Sequence, residues 1–394
     1  MRRNKYHYGR KRRKIKYKNI LLLLVVILTT FFTIPRVLEV SKGYSLIASN
    51  NLVMNKMDLE YDDSVNEIFS SKAFQKEKID VYLEVAEYIN KNEYTFSTED
   101  PTNYINRLID EKEYSVEVAK VLVTIFDDAK LDTTLNEDKK EIYEEIIAID
   151  FFKPVFFDEY IAYYKTFRKT AYKIVLEVNM RINFEPFDVN VINYIERIEG
   201  YDQLINHFNK LPINYVPNLT RLSGPKYITE IYLESDVAEA YEAMRLAAAE
   251  ENHHIGARNG YRTMEFQLEL YNDGIKKYLD QGFDQETSIK KAREYIAVPG
   301  HSEHQTGFAI DWFLPYDDYC KSGKCLSTTK AYSWLLDNMA DYGFILRYPA
   351  GKEKYTMIAF EPWHLRYVGV EVARVINEQK ITLEEWYAMG KKLD

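Results

Sequence analysis

Apolar residues recur at helical spacing through the first half of the chain and give way to alternation in parts of the second. Val118, Val121, Leu122, Ile125 and Ala129 follow Ser115 at the spacing of one helix face, which predicts an amphipathic helix with a serine cap. Phe156, Tyr160, Tyr163, Tyr164 and Phe167 make a second stripe of the same kind. From about Val37 to Met180 the chain is acidic, rich in Tyr and almost free of Gly, so the whole stretch reads as helical. Its stripes are core faces that carry no recognisable chemistry, and no repeat of fixed period runs through them.

Pro212 and Pro217 then interrupt the helical spacing and mark the start of a new domain near residue 205. An Ala-rich helix follows, with Val237, Ala240, Tyr241, Met244, Ala247 and Ala248 on one face. A short alternating stretch ends at Tyr261-Arg262, and a helix is expected from Met264 to Gln281. Phe308, Ile310 and Trp312 alternate against Ala309, Asp311 and Phe313, a strand pattern. Next come a helix over 330–341, a last strand from Met357 to Tyr367 broken at Pro362, and a helix over Val370–Glu378. Helices first, then strands interleaved without βαβ regularity, give the class α+β.

Composition sharpens this picture at the N-terminus. Residues 1–18 hold ten Lys/Arg and no acid, so the rest of the chain carries −19 against −9 overall and is a poor partner for nucleic acid. A charge-free run from Asn19 to Pro35 follows at once. The expectation is a transmembrane signal-anchor over 19–36 with residues 1–18 as a cytoplasmic tail, the lipid bilayer being its partner. A cleaved signal peptide shares this pattern, but no convincing A-x-A site follows Ile34. Either way residues 37–394 lie outside: 37–204 as a mostly helical extracytoplasmic region and 205–394 as the domain with chemistry. Export permits a disulfide between the only two cysteines, Cys320 and Cys325. Their spacing suits a loop staple or two free thiols better than a metal site, for which a second Cys/His pair is missing.

Five of the seven histidines fall between His253 and His364, and such clustering suggests a metal. A catalytic zinc takes three protein N/O ligands and keeps one position for water. His304, Asp311 and His364 can supply that set. Gly307 allows a tight turn after His304, and the strand behind it brings Asp311 alongside, with small Ala309 on the same face. Glu361 and His364 point apart in a straight strand, but Pro362 bends the backbone, so one can bind metal while the other holds water. As bare spacings, H-x6-D and E-x-x-H recur by chance, so the surrounding residues decide.

Ser302, His304, Gly307, Ala309 and Asp311 form S-x-H-x-x-G-x-A-x-D, which resembles the zinc signature of the VanY-type D-alanyl-D-alanine carboxypeptidases. Phe360-Glu361-Pro362-Trp363-His364-Leu365-Arg366-Tyr367 resembles that family's second motif. Gly260-Tyr261-Arg262-Thr263 with Gln267 resembles its substrate-side motif, and Gly343 to Pro349 and the entry at Lys210-Leu211-Pro212 also fit. The resemblance covers about 205–394 and implies a small antiparallel sheet with flanking helices, shared with LAS-type peptidases and Hedgehog domains. It implies Zn2+ on His304, Asp311 and His364, Glu361 as general base and Arg262 as oxyanion stabiliser. Ser302 and Gln267 would bind the peptide, and the substrate would be the terminal D-alanine of peptidoglycan stem pentapeptides. His253, His254 and His301 are not expected as ligands, and Arg366 has either an orienting or a structural role.

Thr263 stands where Ser is commoner, Met357-Ile358-Ala359 replaces a glycine-containing approach, and the Cys320–Cys325 insertion follows the zinc strand. All three leave the ligands intact and bear on the rim. Two alternatives remain within reach of the same motifs: an L,D-carboxypeptidase acting on tetrapeptides, and a non-catalytic wall-binding scaffold protein. A penicillin-binding serine peptidase is disfavoured, because Ser288-Ile289-Lys290-Lys291 and Lys321-Ser322-Gly323 lie too close together and lack the middle motif.

Overall fold

Ser115 Oγ accepts the Val118 N–H at 3.3 Å and starts the helix Val116–Ile125, which buries Val118, Val121 and Leu122 as their spacing requires. The computed structural model describes residues 39, 42–55, 57, 62–126, 140–182, 187, 192–212, 214–222, 230–317, 319–320 and 322–391. The expected tail at 1–18 and membrane segment at 19–36 lie outside these residues. Among the described residues no helix is long and apolar enough to cross a membrane.

The chain divides into two compact units, Met1–Asp158 and Glu159–Asp394. In the first, short helices such as Asp63–Phe69, Ile79–Lys91 and Val116–Ile125 bury Ile68, Phe69, Tyr82, Val85 and Leu122. Tyr82 meets its polar obligation inside this core by donating to Asn106 Oδ1 at 2.8 Å.

In the second unit, Tyr160 and Tyr163 of the helix Phe157–Phe167 and Ile174 and Val175 of the helix Ala171–Asn179 are buried, while Phe167 at the end of the expected stripe is half exposed. Glu177 is buried and receives Tyr163 Oη, Lys169 Nζ and, at 2.7 Å, Lys354 Nζ. Asn179 Nδ2 donates to the Ala388 carbonyl at 3.0 Å. Helical residues upstream of position 205 are thus bonded to segments more than 170 positions later, within the same compact unit.

Two minor sheets pair β1 (Asn193–Tyr194) with β2 (Asn209–Lys210), and β3 (Leu219–Arg221) with β4 (Tyr232–Glu234). The main sheet is antiparallel throughout and runs in the order β5 (Gly256–Asn259), β6 (Ala309–Phe313), β8 (His364–Tyr367), β7 (Phe344–Leu346). The α+β expectation holds. Alternation along β6 sends Ile310 and Trp312 into a core with Val237, Tyr241 and Met244 of the helix Ser235–Glu250 and with Leu335 of the helix Lys330–Asn338. Asp311 therefore faces the other way. The register places Asn259 opposite Asp311 and Asp311 opposite His364, one row across three strands.

The last strand is shorter than the sequence pattern suggests. Glu353–Thr356 is a helical turn, Met357 has a left-handed backbone (φ 58°), and the strand begins only at His364. Glu361 and Pro362 lie in a turn, closed by the His364 N–H donating to the Glu361 carbonyl at 3.2 Å. Pro362 has no N–H to give a ladder, and its carbonyl accepts from Trp312 Nε1 at 2.8 Å instead. Cys320 and Cys325 are joined by a disulfide.

Candidate active site

The two motifs meet because the sheet brings them together and two turns aim them. Residues Glu303–Thr306 form a single 3-10 turn ending at Gly307, whose backbone is left-handed (φ 77°). A Cβ at Gly307 would lie 2.8 Å from the Glu234 backbone nitrogen, so no larger residue fits this turn. The turn delivers His304 beside Asp311, the central residue of β6. On the other side, the Glu361 N–H donates to the Tyr348 carbonyl at 3.1 Å and the Trp312 N–H to the Trp363 carbonyl at 3.0 Å, which fixes the Glu-Pro-Trp-His turn.

His304, Asp311 and His364 each offer a ligand atom within 4.8 Å of the others, and all three are buried. His304 Nδ1 is 2.7 Å from the Gly260 carbonyl, which makes Nδ1 the protonated nitrogen and turns Nε2 toward Asp311 Oδ1 at 3.4 Å. A Cβ at Gly260 would approach the Tyr232 carbonyl to 2.4 Å, so glycine is required where the chain passes this close. His364 presents the other nitrogen: its Nδ1 lies 3.3 Å from Asp311 Oδ1 and 3.7 Å from Glu361 Oε2. Asp311 Oδ2 is held by Asn259 Nδ2 at 2.8 Å and Arg262 Nη2 at 3.1 Å. Its Oδ1 is buried without any hydrogen bond. A buried carboxylate oxygen left alone between two imidazole nitrogens is costly unless a cation joins them. Two imidazoles and one carboxylate are a donor set that suits zinc.

The electrostatics follow from this enclosure. Burial, with Arg262 beside it, lowers His304 to about 4, so the ring is neutral and keeps a lone pair. Burial on its own would raise Asp311, but His304, His364 and Arg262 outweigh it and hold the carboxyl well below its usual range. Burial raises Glu361 to about 8, with Asp311 reinforcing the shift and His364 and Arg262 opposing it. For His364 burial works downward, yet Asp311, Glu303 and Glu361 raise the ring to about 9.

Every residue the sequence singled out lines one cavity of about 280 Å3: His304, Asp311, His364, Glu361, Arg262 with Gln267, and Ser302. Gln267 is buried and already engaged, donating to the Ala297 carbonyl at 2.8 Å and accepting from Arg262 Nη1 at 3.4 Å. Arg262 keeps its Nε buried and without a partner. His301 stands apart, with Nδ1 2.8 Å from the Asn206 carbonyl. Arg366 is fully buried and donates to Glu303 Oε1 at 2.6 Å, as Arg347 does at 2.7 Å. Sequence reasoning missed Asn259 and Glu303. Asn259 is visible only once its strand is paired with β6. Glu303, an ionisable residue enclosed by Ser302 and His304, carried a signal in its position within the motif.

A family model described as VanY, D-alanyl-D-alanine carboxypeptidase, matches residues 230–370. The putative carboxypeptidase YodJ of Bacillus subtilis is 35% identical over 217 residues, 52% of this chain and 75% of that protein. The bifunctional D-Ala-D-Ala dipeptidase and D-Ala-D-Ala carboxypeptidase VanXYC of Enterococcus gallinarum is 36% identical over 186 residues, 47% of this chain and 92% of that protein. Among solved structures, a mutant of the vancomycin resistance D,D-pentapeptidase VanY from the VanB-type cassette, in complex with Zn(II), is 32% identical. It matches over 48% of this chain and 98% of its own, with a TM-score of 0.42. The fold and site thus define a peptidase of the α+β type. The chain belongs to the VanY family of D-alanyl-D-alanine carboxypeptidases, and it is an enzyme of that family.

Proposed function

We propose that this protein is a zinc-dependent D,D-carboxypeptidase that removes the terminal D-alanine from peptidoglycan stem pentapeptides. The observation that carries the reading is the convergence of His304 Nε2, Asp311 Oδ1 and His364 Nδ1 with Glu361 beside them in one cavity. Zinc bound to these three atoms would supply Lewis acidity for the scissile carbonyl and lower the pKa of water toward ~7.

The chain's own residues do the rest. Glu361 is the general base that takes the water proton and passes it to the leaving D-alanine amine. Arg262 stabilises the oxyanion of the tetrahedral intermediate, its guanidinium held in place by Asp311 and Gln267. Gln267 acts on the substrate side through Arg262, and Ser302, also in the cavity lining, would bind the peptide's terminal carboxylate or its backbone. Asn259 keeps Asp311 turned so that Oδ1 faces the histidines.

Residues 19–36 anchor the protein in the cell membrane as a single pass, with the catalytic part outside; the basic run before them and the uncharged run itself support this. The full chain should then pellet with membranes and resist alkaline extraction, whereas 37–394 should not. The catalytic reading is tested by D-alanine release from a synthetic stem pentapeptide and from the tetrapeptide, with and without chelator. Chelator-sensitive release from the pentapeptide is expected. Release from the tetrapeptide alone selects an L,D-carboxypeptidase, and release from neither by the zinc-loaded protein selects a wall-binding scaffold.

A further inference from the structure

Directly behind His364 lies a buried ion network that the catalytic reading does not use. Glu303 Oε1 accepts from Arg347 Nε at 2.7 Å and from Arg366 Nη1 at 2.6 Å. Arg347 turns its two remaining nitrogens onto Glu384, at 2.9 and 2.6 Å, in a paired contact with the C-terminal helix Leu383–Ala388. Arg366 Nη2 donates to the carbonyls of Tyr201 and Gln203, both at 2.8 Å. All four charged side chains are at most 3% exposed. Such networks are expensive to bury, and apolar residues of similar volume often serve stability as well or better. Stability alone therefore does not account for two guanidiniums gripping one oxygen of one carboxylate.

The other oxygen of that carboxylate points at a metal ligand. Glu303 Oε2 and His364 Nε2 are 3.6 Å apart, and neither buried atom has any hydrogen-bond partner. This is about 0.7 Å longer than an N–H···O bond, so a small closing movement would join them. Glu303 is not a fourth ligand, because it faces the nitrogen of His364 opposite to the one directed at Asp311. His304 has the same need met differently, by the Gly260 carbonyl at its Nδ1. The two histidines thus require opposite ring nitrogens to carry the proton, and each has one acceptor behind it.

We infer that Glu303 is a positioning residue for His364: its Oε2 takes the Nε2–H of the ring, and this presents Nδ1 to the metal. Arg347 and Arg366 fix the carboxylate so that it cannot swing away, and the Arg347 N–H, donating to the His364 carbonyl at 3.2 Å, ties the backbone to the same network. Acceptors behind ligating histidines set the tautomer and raise ligand basicity, and their loss typically weakens metal binding 10–100-fold.

The inference rests on the zinc reading above, and the test separates the two. Zinc-loaded wild-type protein with 15N-labelled histidine is examined by long-range 1H–15N correlation, with zinc affinity measured by competition with a chromophoric chelator. One ring should be protonated at Nε2 and metal-bound at Nδ1. In Glu303→Gln that ring's resonances should shift most, and zinc should bind about 10–100-fold more weakly while the His304 ring is little changed. If zinc binds normally but both ligand rings carry the proton on Nδ1, or if Glu303→Gln binds zinc as tightly as wild type, the inference falls and the zinc reading stands. If wild-type protein takes up no zinc, both fall. Should Glu303→Gln fail to fold by circular dichroism, the tautomer in the wild-type protein decides alone.

Discussion

Asn259 and Asp311 face each other across the β5–β6 pair, and the Asn259 amide donates to Asp311 Oδ2 at 2.8 Å. That bond leaves Oδ1 as the carboxylate oxygen turned toward His304 and His364. Asn259→Ala should free the carboxylate to rotate and weaken zinc binding about tenfold or more, with folding retained. Chelator competition measures this directly. Unchanged affinity would show that Arg262 alone suffices to orient Asp311.

The buried Glu177 should make the catalytic unit sensitive to acid. Burial opposes its ionisation, but Lys169, Lys354 and Tyr163 outweigh this and lower its carboxyl below the usual value. A group lowered in the folded state adds stability above its unfolded pKa, about 4.3 for Glu, and that stability is lost as pH falls through the folded value. Glu177→Gln should therefore be less stable than wild type at pH 7, and the gap should narrow below about pH 4. Denaturant midpoints at both pH values test it. A gap that is the same at both, or that widens in acid, contradicts the assignment.

Cys320 is buried against the core and Cys325 is exposed, so the loop between them is pinned at its inner end. Cys325→Ser removes the bond while changing only an exposed atom. Closing so short a loop is worth about 2 kcal/mol, and the variant should lose roughly that much stability under oxidising conditions. Oxidised wild type and Cys325→Ser unfolding at the same denaturant concentration would rule out a stabilising role.

The site was legible in the chain to the extent that it is local. His304 and Asp311 share one turn and one strand, so a seven-residue spacing with Gly307 and Ala309 between them announces both. Glu361 and His364 share one turn in the same way. The roles of Asn259 and Glu303 were not legible, although Glu303 stands inside the motif, because they depend on strand register and on arginines 44 and 63 residues away. Helices such as Val116–Ile125 and Ser235–Glu250 were readable from their stripes, whereas the helices Gln285–Arg293 and Leu383–Ala388 and the true extent of the last strand were not. Apolar residues at 357–363 mimic a strand, but Met357 is left-handed and Pro362 cannot donate to a ladder. Nothing in the spacing of Phe157–Phe167 and Ala171–Asn179 revealed that Glu177 and Asn179 bond to Lys354 and Ala388.

Glu361 carries the chemistry in this reading, and one variant tests it most directly. Glu361→Gln keeps the side chain's size and leaves His304, Asp311 and His364 in place, while removing the group that accepts the proton. Zinc content and the rate of D-alanine release from the pentapeptide are measured together for this variant and for wild type. The expected result is one zinc per chain in both proteins, with kcat lowered by roughly 10^2–10^4-fold in Glu361→Gln. A variant that holds zinc and turns over at a near-normal rate would show that Glu361 is not the base.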